Sequence, residues 1–296
     1  MRVSRRLTFR VLPTLATASL LAFAGAVDLA AQQPRGITVF ISVDMEGLAG
    51  VVSASDVNPT GPDYAHFRAI MAAETNAAIE GAIRAGATDI LVRDSHGSKQ
   101  NLLPGDLDPR AQLLRGVSAG PKNMMEGIDS TFDAVVFLGY HAKAGTPGAI
   151  LEHTSTGNVI DFSINGVSLP EGGYNALVAG LYGVPVVFVA GDRAVVNQLG
   201  DLLGPIEAVA VKREIADASL GMSPSQAQQA IREGVERAVR NRARAAPYVM
   251  RGPYTMVLKV KTDRPLFPGA ERPREGEAVF RHADLLEILN AFNAMK

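Results

Sequence analysis

The chain has 296 residues, 47% hydrophobic and 20% charged, with no cysteine and a formal net charge of −1. Without cysteine there are no disulfides and no thiolate metal sites, so any bound metal has to be held by histidine and carboxylate. The near-neutral balance argues against a surface built for nucleic acid or anionic membranes.

Residues 1–10 carry Arg2, Arg5, Arg6 and Arg10 and no acid, and residues 11–27 are apolar and rich in small side chains. Ala24-Gly25-Ala26 fits a small-residue cleavage pattern, and Leu29-Ala30-Ala31 offers a second. Together these features read as a secretory signal over residues 1–31, which predicts a periplasmic or secreted protein, free of the membrane once the leader is removed. The alternative is an uncleaved anchor helix, which Pro13 and the short apolar run disfavour. The mature chain then carries 25 Lys plus Arg against 29 Asp plus Glu, a net −4, and is mildly acidic. Its length of about 265 residues suits one large domain, alone or with a smaller appended lobe.

Residues 37–43 are β-branched and apolar almost throughout, the pattern of a parallel strand buried on both faces. From Asp63 apolar side chains recur at helical spacing (Phe67, Ile70, Met71, Ala78, Ile79, Ala82, Ile83), and Gly86 can end that helix. Residues 89–92 predict a second strand, 111–114 a short third and 132–138 a fourth. Residues 159–169 read as a hairpin with Asn165-Gly166 at its turn. A helix over 171–182, a buried strand over 184–189 and a helix through Leu203 follow. Ser223-Pro224 opens a polar helix to about residue 246, 254–261 alternates as a half-exposed strand, and 284–293 is a closing helix.

This alternation predicts an α/β fold: three layers, a mainly parallel sheet with helices on both faces, plus a smaller C-terminal α+β portion. The expected organisation is a signal peptide over 1–31, an α/β metal-binding catalytic domain over 32–204, and an α+β portion over 205–296 packed on it.

Ligands bind beyond the carboxyl ends of the strands in open parallel sheets. Asp44 and Glu46 follow the first predicted strand, His96 the second and His141 the fourth, so four candidate metal ligands gather at one edge. Asp44 and Glu46 are two residues apart and would point the same way in an extended chain. Each residue alone has a bland reading, as a helix cap or a structural histidine; their shared edge favours a metal site. Glu171 either complements the dipole of the helix it opens or adds a fifth ligand. His153, in Glu152-His153-Thr154, is a ligand, a general base or a surface histidine. Asp94 reads as a group that orients His96 or caps its turn. His66 and His282 lack acidic companions at ligand spacing. Serine-hydrolase, phosphate-loop, dinucleotide and HExxH motifs are absent.

Five motifs occur in order: Ser42-Val43-Asp44-Met45-Glu46-Gly47, Asp94-Ser95-His96-Gly97, Gly139-Tyr140-His141-Ala142, Glu152-His153-Thr154 and Glu171-Gly172-Gly173-Tyr174-Asn175. In this order and spacing they resemble the zinc D-aminopeptidase family, the M55 peptidases, from about Ile37 to the C-terminus. The resemblance implies two zinc ions per subunit. Asp44 would bridge them, Glu46 and His96 would complete one ion, and His141 and Glu171 the other. His153 would be the catalytic residue. It also implies short peptides with N-terminal D-residues, such as D-Ala, as substrates, and a ring-shaped homo-oligomer, a decamer with its sites facing a chamber. The Arg-rich leader departs from the founding member, which looks cytoplasmic. Two rival readings are another metal-dependent amide or ester hydrolase on the same scaffold and a non-catalytic exported peptide-binding protein.

Overall fold

β1 (Ile37–Val43) is buried along most of its length, as its β-branched, apolar sequence requires of a strand covered on both faces. The computed structural model describes residues 36–118 and 120–296; the expected leader lies outside the described residues. After β1 come α1 (Ala54–Val57), α2 (Tyr64–Arg84), β2 (Ala87–Asp94), β3 (Gln112–Leu114), β4 (Ala134–Tyr140), β5 (Val159–Ile164), β6 (Val167–Ser168), α3 (Glu171–Leu181), β7 (Val186–Asp192), α4 (Arg193–Leu203), β8 (Glu207–Ile215), β9 (Ala218–Gly221), α5 (Pro224–Arg240), β10 (Tyr254–Val260), β11 (Glu271–Arg274), β12 (Glu277–His282) and α6 (Leu285–Met295).

The large sheet has the order β3-β2-β1-β4-β7-β8-β9. Every pairing from β3 to β8 is parallel, and β9 runs antiparallel at the edge. From β1 the chain winds outward to β2 and β3, then crosses back to β4 on the other side. The switch therefore falls between β1 and β4, where their carboxyl ends open a crevice. One face of the sheet packs Val39, Ile41, Val43 and Val136 against α2 and α5, through Ile79, Ala82, Ile231 and Val235. The opposite face packs Phe40, Val135 and Phe137 against α3 and α4 and against the second sheet. Helices thus cover both faces, as the strand and helix alternation predicts.

The second sheet is antiparallel, in the order β11-β12-β10-β5-β6. Asn165 and Gly166 join β5 to β6 with φ of 51° and 81°, the paired left-handed geometry of a tight hairpin turn. Residues on either side of position 205 interleave: β8 and β9 extend the large sheet, α5 packs on α2, and β10 pairs with β5. Two strands differ from the sequence expectation in a way that matters. β4 starts two residues later and runs to Tyr140, and β7 runs to Asp192. His141 therefore begins directly where β4 ends. The pattern of residues 207–221 and 271–282 was too weak to mark β8, β9, β11 and β12, which are held by cross-strand pairing.

Candidate metal centre

The end of β1 is tied to its neighbours through the main chain. Asp44 N–H donates to Leu138 O at 2.8 Å, and Ser95 N–H donates to Val43 O at 2.8 Å. The chain then turns sharply. Gly47 N–H donates to Gly139 O at 2.7 Å, and a Cβ on Gly47 would come within 1.9 Å of Tyr140 O. Gly139 itself has a φ of 65°. Only glycine lets the Asp44–Glu46 turn sit this close to β4. Residues 45–50 are therefore bends and turns, which corrects the expectation of an extended pair. Asp44 and Glu46 converge because the turn folds Glu46 back, not because of strand alternation.

A buried polar network underlies the crevice. Ser42 Oγ lies 2.7 Å from Ser95 Oγ and 2.8 Å from Tyr140 Oη, and Asn175 Nδ2 donates to Tyr140 Oη at 3.0 Å. These groups lock the ends of β1, β2 and β4 to α3. Sequence reasoning assigned them no role, although Tyr140 and Asn175 sit inside the histidine and glutamate motifs.

The six expected residues come together as two groups whose ligand atoms lie within 4.8 Å of one another: Asp44, Glu46 and His96, and His141, His153 and Glu171. His96 Nδ1 is 3.1 Å from Asp44 Oδ1 and 3.0 Å from Glu46 Oε2. His141 Nε2 is 3.7 Å from Asp44 Oδ2 and 3.5 Å from Glu171 Oε1. The two oxygens of Asp44 thus face the two groups. His153 Nε2 is 3.7 Å from Glu171 Oε1 and 4.0 Å from Glu46 Oε1.

Each histidine has its outward nitrogen on a main-chain carbonyl. His96 Nε2 meets Val57 O at 3.0 Å, His141 Nδ1 meets Ala142 O at 3.0 Å, and His153 Nδ1 meets Leu151 O at 2.9 Å. A carbonyl only accepts, so the ring nitrogen beside it carries the proton and the inward nitrogen is left to bind or accept. His141 Nε2 is buried with no hydrogen-bond partner, the condition a metal ligand satisfies and a structural histidine avoids.

The electrostatics make the same demand for positive charge. Burial disfavours the charged form of His96, but Glu46 and Asp44 outweigh it and push its pKa up to about 11. His141 is raised to about 9 against its burial, by Glu171, Glu46 and Asp44. Burial pushes the Glu46 carboxyl up, yet His96, His141 and His153 hold it well below the usual carboxylate range. Three carboxylates in one dry crevice require cations, either protons on the imidazoles or divalent ions between them. The donor set of imidazole nitrogen and carboxylate oxygen suits zinc and similar ions.

The remaining sequence candidates fall outside the two groups. Asp94 does not touch the His96 ring; it accepts from Asn101 N and Leu102 N at 2.5 and 2.8 Å, and Asn101 Nδ2 donates to His96 O. It shapes the loop rather than the imidazole. Glu152 lines a neighbouring cavity of about 300 Å³ together with His153, Ile160 and Lys261. The central cavity, of about 110 Å³, is lined by Asp44, Glu46, His96, His153 and Glu171, and also by Lys99. Lys212 on β8 was not anticipated either. It is almost fully buried, and its Nζ donates to Glu46 O at 2.5 Å and Val51 O at 2.6 Å, clamping the turn that carries Glu46. A lysine directly after the apolar run of residues 208–211, inside a strand, is the one signal for it.

A family model described as D-aminopeptidase matches residues 37–294. A D-aminopeptidase of Bacillus subtilis (strain 168) is 35% identical over 266 residues, which cover 87% of this chain and 96% of that protein. Among solved structures, the zinc-dependent D-aminopeptidase DppA from Bacillus subtilis, a self-compartmentalizing protease, matches with a TM-score of 0.82 at 32% identity, over 87% of this chain and 96% of that one. Sequence, fold and both residue groups lie within these matches, and the chain belongs to the D-aminopeptidase family, the M55 peptidases.

Proposed function

We propose that this protein is a two-metal, zinc-dependent aminopeptidase that releases N-terminal D-residues, D-alanine foremost, from short peptides. The observation that carries this reading is the placement of Asp44, with one oxygen toward His96 and the other toward His141. Asp44, Glu46 and His96 would hold one ion, and Asp44, His141 and Glu171 the other. Two such ions supply a polarised scissile carbonyl and a more acidic water. The protein's own part is to fix geometry and to move a proton. His153 Nδ1–H is held by Leu151 O, so Nε2 is the atom that takes a proton from the attacking water or returns one to the leaving amine. Glu171 is kept in place by Ser155 N–H at 2.5 Å. If the site holds both the amino terminus and the carbonyl of the substrate, a wall at the third point would sort D from L residues by steric clash.

The self-compartmentalizing relative supports assembly of this chain into a homo-oligomer, and the family resemblance supports a decameric ring. The basic, apolar leader supports export to the periplasm or beyond, where cell-wall peptides carry D-alanine. N-terminal sequencing should then find a mature start near Val27 or Gln32, and an intact Met1 on membrane-bound protein would overturn the export reading. The central test is metal analysis combined with hydrolysis of D-Ala-D-Ala and L-Ala-L-Ala by the zinc-loaded protein. Two ions per subunit and faster cleavage of the D-dipeptide are expected. Faster cleavage of the L-dipeptide removes the D assignment and leaves a two-metal hydrolase.

A further inference from the structure

Lys99 lines the central cavity, and the reaction proposed above has no task for it. It closes a tight turn after His96, its N–H donating to His96 O at 2.8 Å, and its φ is 60°. A side chain bearing a Cβ is uncommon in that left-handed region and is held there only when its surroundings require it. The ammonium donates to Ser95 O, one residue before the turn's start, and Ser95 also lines the cavity. An ammonium has three N–H donors, so further ones remain for a ligand. A second lysine stands behind the same wall. Lys296 Nζ, at the end of α6, donates to Ser155 Oγ at 2.6 Å and to Asn293 Oδ1 at 2.8 Å, and Ser155 lines the cavity and holds Glu171.

The charge balance shows what this surplus is for. Asp44, Glu46 and Glu171 bring three negative charges, and two divalent ions bring four positive ones, so the loaded centre is already positive before Lys99 is counted. A peptide's amino end adds nothing that a further cation would attract. A carboxylate does, and an ammonium facing it makes a strong, charge-assisted hydrogen bond. In a dipeptide the α-carboxylate carbon is three bonds from the scissile carbonyl carbon, on the order of 4 Å or less, within the reach of a lysine on the wall of a cavity this small.

We propose that Lys99 forms a subsite for the free α-carboxylate of the residue just after the scissile bond, with Lys296 reinforcing the field, so that the protein selects dipeptides over longer or C-terminally blocked peptides. This inference rests on the aminopeptidase reading. A lysine that merely braced the turn would be satisfied by Ser95 O and would leave the choice of substrate unaffected.

The test compares D-Ala-D-Ala with its C-terminal amide on the zinc-loaded protein. Wild type should favour the free acid in kcat/KM by about ten- to a hundredfold, the scale of one hydrogen bond to a charged group. In Lys99→Met that ratio should fall to near one with zinc content retained, and Lys99→Arg should keep part of it. Calorimetric binding of the same two peptides to zinc-loaded His153→Ala protein reads the contrast without turnover, and the acid should bind more tightly. Equal handling of acid and amide by wild type overturns the inference, as does an undiminished preference in Lys99→Met. The same acid-to-amide contrast is measured with L-Ala-L-Ala, so an error in the D assignment shows in the D-to-L ratio and leaves this test intact.

Discussion

His141 and His153 stack face to face, with ring centroids 4.0 Å apart and 15° between their planes, yet one side chain is 1% exposed and the other 27%. The buried ring points its free nitrogen between Asp44 and Glu171. The exposed one borders both the central cavity and its larger neighbour. His153→Ala should therefore keep near-normal zinc content and lose at least about 10²-fold in kcat, the usual scale for a positioned acid or base. His141→Ala should lose zinc and activity together. Metal analysis beside steady-state kinetics checks both, and loss of zinc in His153→Ala would make His153 a ligand.

Asp44 is the sole carboxylate with one oxygen toward each of His96 and His141 among the described residues. Asp44→Ala is expected to lose both ions, whereas His96→Ala should weaken mainly one. Zinc titration followed by calorimetry should show two binding events in wild type, one in His96→Ala and none in Asp44→Ala. Retention of both ions in Asp44→Ala would sink the bridging role.

Lys212 is tied to Glu46 across the sheet, since β8 lies beyond β4 and β7 from β1. Lys212→Met leaves Glu46 O and Val51 O without their donor in a buried place. The loss of such a buried, charge-bearing contact costs about 2–5 kcal/mol. The turn bearing Glu46 should loosen as well, so zinc affinity should fall along with the denaturant midpoint. Denaturant unfolding and zinc titration of Lys212→Met measure both, and an unchanged zinc affinity would reduce Lys212 to a stability role.

Glu74 on α2 is fully buried; Oε1 accepts from Ala49 N at 3.0 Å and Oε2 has no partner. Burial pushes its pKa up to about 7 from 4.5. The folded state therefore holds this proton more tightly than the unfolded chain. The associated stability is complete below about pH 4.5, declines as pH rises toward 7, and is absent above that. Glu74→Gln should flatten this decline, so that the variant gains on wild type between pH 5 and pH 8. Thermal midpoints of both proteins across that range test it, and parallel curves would show that Glu74 does not titrate there.

The chain itself determined the α/β class and the positions of the candidate ligands, because both depend on local regularities. Period and β-branching mark β1, β2 and β4, and an acid or histidine just past an apolar run marks a strand's carboxyl end. Asn165-Gly166 likewise carried its own turn. Only the tertiary structure decided which oxygen of Asp44 faces which histidine, that Glu46 arrives by a glycine-enabled turn against Gly139, and that Lys212 and Glu74 support that turn from β8 and α2. These relations join residues up to 166 positions apart, and they depend on strand order and close backbone approach. Neither leaves a periodic trace in the sequence, since a single buried lysine in an edge-side strand satisfies its charge only through partners that folding brings to it.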